Sequence, residues 1–213
     1  MKLIQRLGLI AILGLLTSCF GDKKMTDVEE IGDTSFVNKN FNSNRINYNK
    51  DNSACEQMSL STLANLYEVT LNTIHVVDNK NSDRFRKDIE PQCSFYIETS
   101  ENHYEWLRGS MSLYREIGKD EMMGEIAEAA GGGENWKEAW ALQKSISKSS
   151  EWVDNIGLAA LWNDSKTELK IKFIGYTLTV YPPKNSANKM EVAKNRDYKS
   201  IALAMAKGAG YIN

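Results

Sequence analysis

The chain has 213 residues, with 26 basic residues against 28 acidic ones and a formal net charge of −2. That length holds one domain with a sizeable core, and the charge balance gives no electrostatic footprint for nucleic acid or anionic lipid headgroups. Two histidines and three cysteines leave little material for a metal centre.

Lys2 and Arg6 precede an apolar run from Leu7 to Leu16, which leads into Thr17-Ser18-Cys19. About ten apolar residues are too few to cross a bilayer, which takes roughly 20. A basic start, a short apolar core and small residues before a cysteine have the layout of a bacterial lipobox closing a cleaved signal. Residues 1–18 are therefore expected to be a lipoprotein signal peptide. Cys19 is expected to be the acylated first residue of the mature chain, because a thiol at the cut site can take a thioether-linked diacylglyceryl group. An ordinary secretory signal with a chance cysteine is the alternative. Two or more acyl chains (palmitate and its like) hold a protein stably at a membrane where one holds it marginally. Phe20, in place of an aspartate after the cysteine, leans the sorting toward the outer membrane. The expected address is the cell envelope, at the periplasmic face or the surface of the outer membrane rather than at the inner membrane. Without Lys2 and Arg6 the mature chain carries a net charge of about −4, and nothing after the signal has the length and apolarity of a transmembrane helix.

Residues 19–52 read as a tether. Asn38 to Asn52 is close to half asparagine, a composition that buries little and favours turns, and a flexible coil of that length spans roughly 30 Å. The alternative is an extended arm whose Phe36, Phe41, Ile46 and Tyr48 dock on the domain. Residues 53–213 form the single α/β domain. Ser59 can cap a helix with Leu60, Leu63, Ala64 and Tyr67 on one face. Leu71 to Val77 and Cys93 to Thr99 read as strands, separated by a charged stretch from Ser82 that breaks at Pro91. Leu107, Gly109, Met111 and Leu113 alternate with polar residues and predict a third strand.

Residues 119–148 predict two helices split by Gly131-Gly132-Gly133, a run too costly to be helical and therefore a turn or hinge. Met122, Met123, Ile126, Ala127 and Ala130 share one side of the first helix. Trp136, Ala139, Trp140, Leu142 and Ile146 form a stripe on the second. Leu158 to Trp162 predicts a strand. Leu169, Ile171 and Phe173 alternate inward, Gly175 turns the chain, and Thr177 to Tyr181 returns as the hairpin partner. Pro182-Pro183 is expected to end the sheet. Asp197 can cap a last helix carrying Tyr198, Ile201, Ala202 and Met205, with Gly208 as its stop.

With Cys19 assigned to lipid, Cys55 and Cys93 remain in a compartment that tolerates disulfides, and pairing is expected; two separate buried thiols are the alternative. The landmarks Cys55-Glu56-Gln57-Met58-Ser59, Cys93-Ser94-Phe95 and Gly157-Leu158-Ala159-Ala160-Leu161-Trp162, with the hairpin and alanine-rich last helix, resemble a family of small bacterial lipoproteins with a PsbP-like α/β domain. The resemblance covers residues 53–207. Leu158 stands where that family usually has an acidic residue. The resemblance implies the Cys55–Cys93 disulfide and an α+β fold, an antiparallel sheet flanked by helices as a PsbP-like sandwich, with 119–148 as an inserted helical pair. It implies no catalytic residue.

His75 and His103 have no second ligand at helical or hairpin spacing, so no metal and no cofactor is expected. No Gly-x-Ser-x-Gly elbow is present. Glu98 with Glu101 or Glu105 could do acid–base work, and equally suits a solvated strand edge. The glycine run lacks the Lys-Ser/Thr of a phosphate loop. A contact surface remains. Trp136 and Trp140 lie one helical turn apart, with Trp136 in the exposed first turn, and Met122 lies on the facing helix. Tryptophan anchors interfaces and methionine adapts to them. The expected function is a non-enzymatic, membrane-anchored module that binds an envelope protein through Trp136, Trp140 and Met122. One alternative is a carrier or sensor of a small apolar or sugar ligand held between the helical pair and the sheet. An aromatic-lined pocket of several hundred Å³ would favour it. A toxin-neutralising immunity lipoprotein is another. An envelope hydrolase would need convergent polar groups in a closed cleft.

Overall fold

The computed structural model describes residues 33–79 and 90–213. The signal peptide, the acylation site Cys19 and most of the charged stretch that begins at Ser82 lie outside the described residues. Among the described residues no helix is long and apolar enough to cross a membrane.

The fold is a seven-stranded, wholly antiparallel sheet with helices on both faces. The elements run α1 (Leu60–Tyr67), β1 (Ile74–Asp78), β2 (Gln92–Ile97), β3 (Leu107–Arg115), α2 (Gly124–Ala130), α3 (Trp136–Ile146), β4 (Ser150–Trp152), β5 (Ala159–Asn163), β6 (Glu168–Phe173), β7 (Tyr176–Lys184), α4 (Lys189–Ala193) and α5 (Tyr198–Gly208). Strand order across the sheet is β1-β2-β3-β7-β6-β5-β4. The β3–β7 pairing brings the first half of the chain against the second, and α2 and α3 lie in the long connection between them.

The capping residues work as their chemistry dictates. The Ser59 hydroxyl accepts from the Thr62 N–H, Asn188 accepts from Glu191, and Asp197 accepts from Ser200, each satisfying a helix donor that has no partner within its own turn. Leu63, Ala64 and Tyr67 of α1 and Ile201, Ala202, Met205 and Ala206 of α5 bury the main core against Phe95, Met111, Leu113, Leu169, Ile171, Leu178 and Val180 of the sheet. Cys55 and Cys93 form a disulfide with their Cα atoms 4.9 Å apart, tying the segment before α1 to β2. Closing a loop of 38 residues stabilises the fold by about 4 kcal/mol through loop-closure entropy.

Strand alternation fails where both faces are covered. All five residues of β5 are buried, because Ala160 and Trp162 face the main core while Ala159 and Leu161 join a second cluster with Trp136 and Trp140. Three local expectations are corrected. The first strand begins only at Ile74, after one 3₁₀ turn at Leu71–Thr73. The first helix of the glycine-linked pair begins at Gly124, so Met122 lies before it. The sheet does not end at Pro182-Pro183: β7 continues through both prolines to Lys184. A register shift between Arg108 and Ser110 of β3 accommodates this. There Gly109 lets the Tyr181 carbonyl and the Pro183 nitrogen come closer than a Cβ would allow.

Residues 33–52, for which a flexible tether and a docked arm were both open, lie against the domain. The Asn38 N–H donates to the Leu158 carbonyl at 2.7 Å, and the Asn38 side chain donates to the Gly157 carbonyl. Asn44 both donates to and accepts from Ile174 at the β6–β7 turn. Tyr176 donates its hydroxyl to the Ile46 carbonyl, and Tyr48 donates to Glu90. Phe36 and Val37 join the second cluster, whereas Phe41, Ile46 and Tyr48 pack on the main core. The arm thus wraps one end of the sheet from one face to the other. Its asparagines serve as backbone-pairing groups, which composition alone does not distinguish from solvation.

Candidate functional site

The α2–α3 hairpin stands off the sheet face opposite α1 and α5 and leaves a cleft of about 570 Å³ beneath it. The roof is apolar: Met123, Ile126, Ala127 and Ala130, then Gly131, Gly132 and Trp140. The floor is polar and comes from three adjacent strands, with Tyr114 of β3, Thr177, Thr179 and Tyr181 of β7, and Glu168 and Lys170 of β6. Neighbours on one face of a strand recur every second residue, so Thr177, Thr179 and Tyr181 point into the cleft while Leu178 and Val180 between them point into the main core.

Gly131 fixes the roof. It closes α2 in the left-handed region at φ +80°, where glycine carries no steric penalty. Its carbonyl accepts the Trp140 indole N–H at 3.1 Å, and Gln143 donates to the neighbouring Ala130 carbonyl. At the base of the hairpin, the Ile117 N–H donates to the Gly132 carbonyl. Arg115 grips Glu121 through two hydrogen bonds of 2.9 and 2.6 Å. These bonds, with the Gly118 N–H, hold the Glu121 carboxyl down to about 2. Lys172, 1% exposed, places its ammonium 2.9 Å from Glu116 and 5.7 Å from the centre of the Trp136 ring.

The charges that line the cleft are paired within the protein. Lys170 donates to Gln143 at 3.1 Å and lies 3.7 Å from Glu168. Tyr181 donates its hydroxyl to the other Glu168 oxygen. Burial and that carboxylate together raise the Tyr181 phenol well above its ordinary range. Among the described residues, the Thr177 and Thr179 hydroxyls have no hydrogen-bond partner within the protein, although both residues are buried.

The sequence-derived contact residues separate here. Trp140 is 1% exposed and lines the cleft. Trp136 is 5% exposed, not open as its place in a first helical turn suggests. Phe36 of the arm meets it edge-on at 6.1 Å and stacks on Trp152 at 3.9 Å, and Trp140 packs at 5.4 Å. Met122 is 97% exposed and is not among the lining residues. His75 stacks on Trp106 and meets Glu98 at 3.2 Å. Glu98 and Glu105 border a separate polar depression with Asn188 and Glu191. Among the described residues no group of three or more His, Cys, Asp or Glu side chains is placed to hold a metal ion. The polar floor was missed from sequence. Its only signal was the Thr-x-Thr-x-Tyr alternation of β7, which marks a second face without saying that a helical pair covers it at a distance.

Fold and site together describe a mixed α/β domain that carries a ligand-sized cleft on one face of an antiparallel sheet. Comparison with protein-family models, curated proteins and solved structures found no match to this chain.

Proposed function

We propose that this protein is a non-enzymatic binding module, a carrier or sensor of a small molecule, whose site is the cleft between the α2–α3 hairpin and the sheet. The observation that carries this reading is the cleft itself, about 570 Å³ with Tyr114, Trp140 and Tyr181 among its walls, within the range of small-molecule sites. The hairpin is read as an insertion in a PsbP-like sandwich, and the domain as the folded part of an outer-membrane lipoprotein held by acylated Cys19. Pairing of Lys170, Glu168 and Arg115 with protein groups speaks against acid–base chemistry, which needs a group poised to exchange a proton with substrate. The test is binding of the neutral apolar fluorophore N-phenyl-1-naphthylamine to the purified protein. One site is expected, abolished by Ala130→Trp. Ala130 is an exposed roof residue, so the added indole fills the cleft without entering the core. Binding unaffected by Ala130→Trp, or none, rejects the reading.

A second reading, docking of an envelope protein, draws on Met122, which precedes the hairpin, lies outside the cleft and is 97% exposed; methionine adapts readily to partner surfaces. Photocrosslinking from position 122 in cells tests it: a single protein adduct supports this reading, and none removes it.

A further inference from the structure

We infer that the ligand of the cleft is electrically neutral and two-faced, with an apolar side for the roof and hydroxyl or carbonyl groups for the floor, as in a glycoside or glyceride with a short alkyl portion. The inference rests on the reading of the cleft as a binding site and adds what enters it. Three features of the geometry carry it.

The first is the division of the walls. Met123, Ile126, Ala127 and Ala130 offer no hydrogen-bonding side chain, and every strand residue of the floor carries one. A wholly apolar ligand would strand the floor groups away from water. An unmet polar group in a closed site weakens binding more than a made bond strengthens it.

The second is the state of the charges. An ionic ligand is favoured where a site offers it an unmatched opposite charge. Lys170 bonds Gln143 and is matched by Glu168 at 3.7 Å, Glu168 also accepts from Tyr181, and Arg115 is matched by its two bonds to Glu121. The lining therefore offers no unmatched charge to an ionic ligand, and a neutral ligand needs none.

The third is the pair of threonines. Their hydroxyls face the cleft side by side along β7 with no protein partner among the described residues. A hydroxyl both donates and accepts, and two of them spaced along a strand, about 7 Å apart at two residues, are too far apart to meet one ligand atom and instead reach separate oxygens of a polyol. Tyr114 and Tyr181 flank them and complete an oxygen-rich strip.

The test compares three probes built on an eight-carbon chain, each below its micelle-forming concentration: octyl glucoside, octanoate and octyltrimethylammonium. Each competes against N-phenyl-1-naphthylamine on the wild type and on the Thr177→Val/Thr179→Val double variant, which keeps shape and removes both hydroxyls. The expected result is that octyl glucoside displaces the dye at least tenfold more tightly than either ion. The double variant should weaken the glucoside about tenfold, the loss of one to two ordinary hydrogen bonds, and bind the dye at least as tightly as the wild type, since fewer floor groups are then left unmet. Octanoate or the ammonium matching the glucoside on the wild type overturns the inference while leaving the cleft a binding site. So does a glucoside affinity that ignores the double substitution. Failure of the dye to bind in an Ala130→Trp-sensitive way overturns the functional reading beneath it. A melting temperature for the double variant within a few degrees of wild type confirms that the comparison is between folded proteins.

Discussion

Two glycines with nearly the same backbone angle give a quantitative test of how the cleft roof is built. Gly131 has φ +80° and Gly175 has φ +82°. An alanine at either pays the left-handed penalty, about 1–2 kcal/mol, partly offset by a less disordered unfolded chain. Nothing lies within 4 Å of a Cβ built on Gly175, so Gly175→Ala is expected to cost about 1 kcal/mol. A Cβ on Gly131 falls 2.5 Å from Trp140 Cδ1 and 2.7 Å from its Nε1. Trp140 is buried and its indole N–H bonds the Gly131 carbonyl, so it cannot move away without losing that bond. Overpacking of this kind adds about 1–3 kcal/mol, which puts Gly131→Ala near 3 kcal/mol. Urea unfolding followed by far-ultraviolet circular dichroism and tryptophan fluorescence reads both. Equal losses for the two variants would refute the account, since the backbone term is common and only the contact with Trp140 differs. A loss at Gly131 visible by fluorescence alone would mean that the hairpin opens apart from the sheet.

Three further outcomes follow from the same geometry. Glu116→Ala leaves the Lys172 ammonium, 1% exposed, without its carboxylate and is expected to cost about 2–3 kcal/mol, whereas Lys172→Met is expected to stay within about 1 kcal/mol of wild type; urea midpoints decide, and the reverse order counts against a buried charge. The Arg115–Glu121 clasp is complete above the ordinary glutamate value of 4.5 and is lost as pH falls toward about 2, because the folded-state value lies below the unfolded one. Amide-exchange protection of residues 118–133, corrected for intrinsic rate, should therefore fall across that window in the wild type and show no such step in Glu121→Gln. Phe36→Ala removes a ring stacked on Trp152 and edge-on to Trp136, and a loss of about 1–2 kcal/mol in thermal or urea unfolding is expected from a half-buried aromatic contact; an unchanged midpoint would mean that the arm contributes nothing there.

Local chemistry made much of the fold legible. Ser59 and Asp197 announce their helices, the 168–181 alternation around Gly175 announces the hairpin, and the expected pairing of Cys55 with Cys93 is present. What stayed hidden depends on contacts distant in sequence. β4 is three residues long and exists because Trp152 has Leu161 to pair with. The passage of β7 through two prolines depends on Gly109, some 70 residues earlier. In the candidate site, Trp140 was visible as one of a helical stripe. The burial of Trp136 was not, because its cover is Phe36, 100 positions away. The threonine floor was invisible as a site since alternation reports which residues share a face, never what stands over that face.

The docked N-terminal arm sets where this polypeptide can be cut. Composition places a boundary near residue 52, yet a fragment trimmed there would bare Trp152, Phe173 and Tyr176, rings that Phe36, Phe41 and Tyr48 cover in the intact protein. It would also leave the backbone carbonyls of Gly157, Leu158 and Ile174 without the asparagine donors that meet them. Recombinant work that discards the asparagine-rich stretch as dispensable would therefore yield a sticky, self-associating product. Trimming ahead of Asp33 keeps the shielded surface whole.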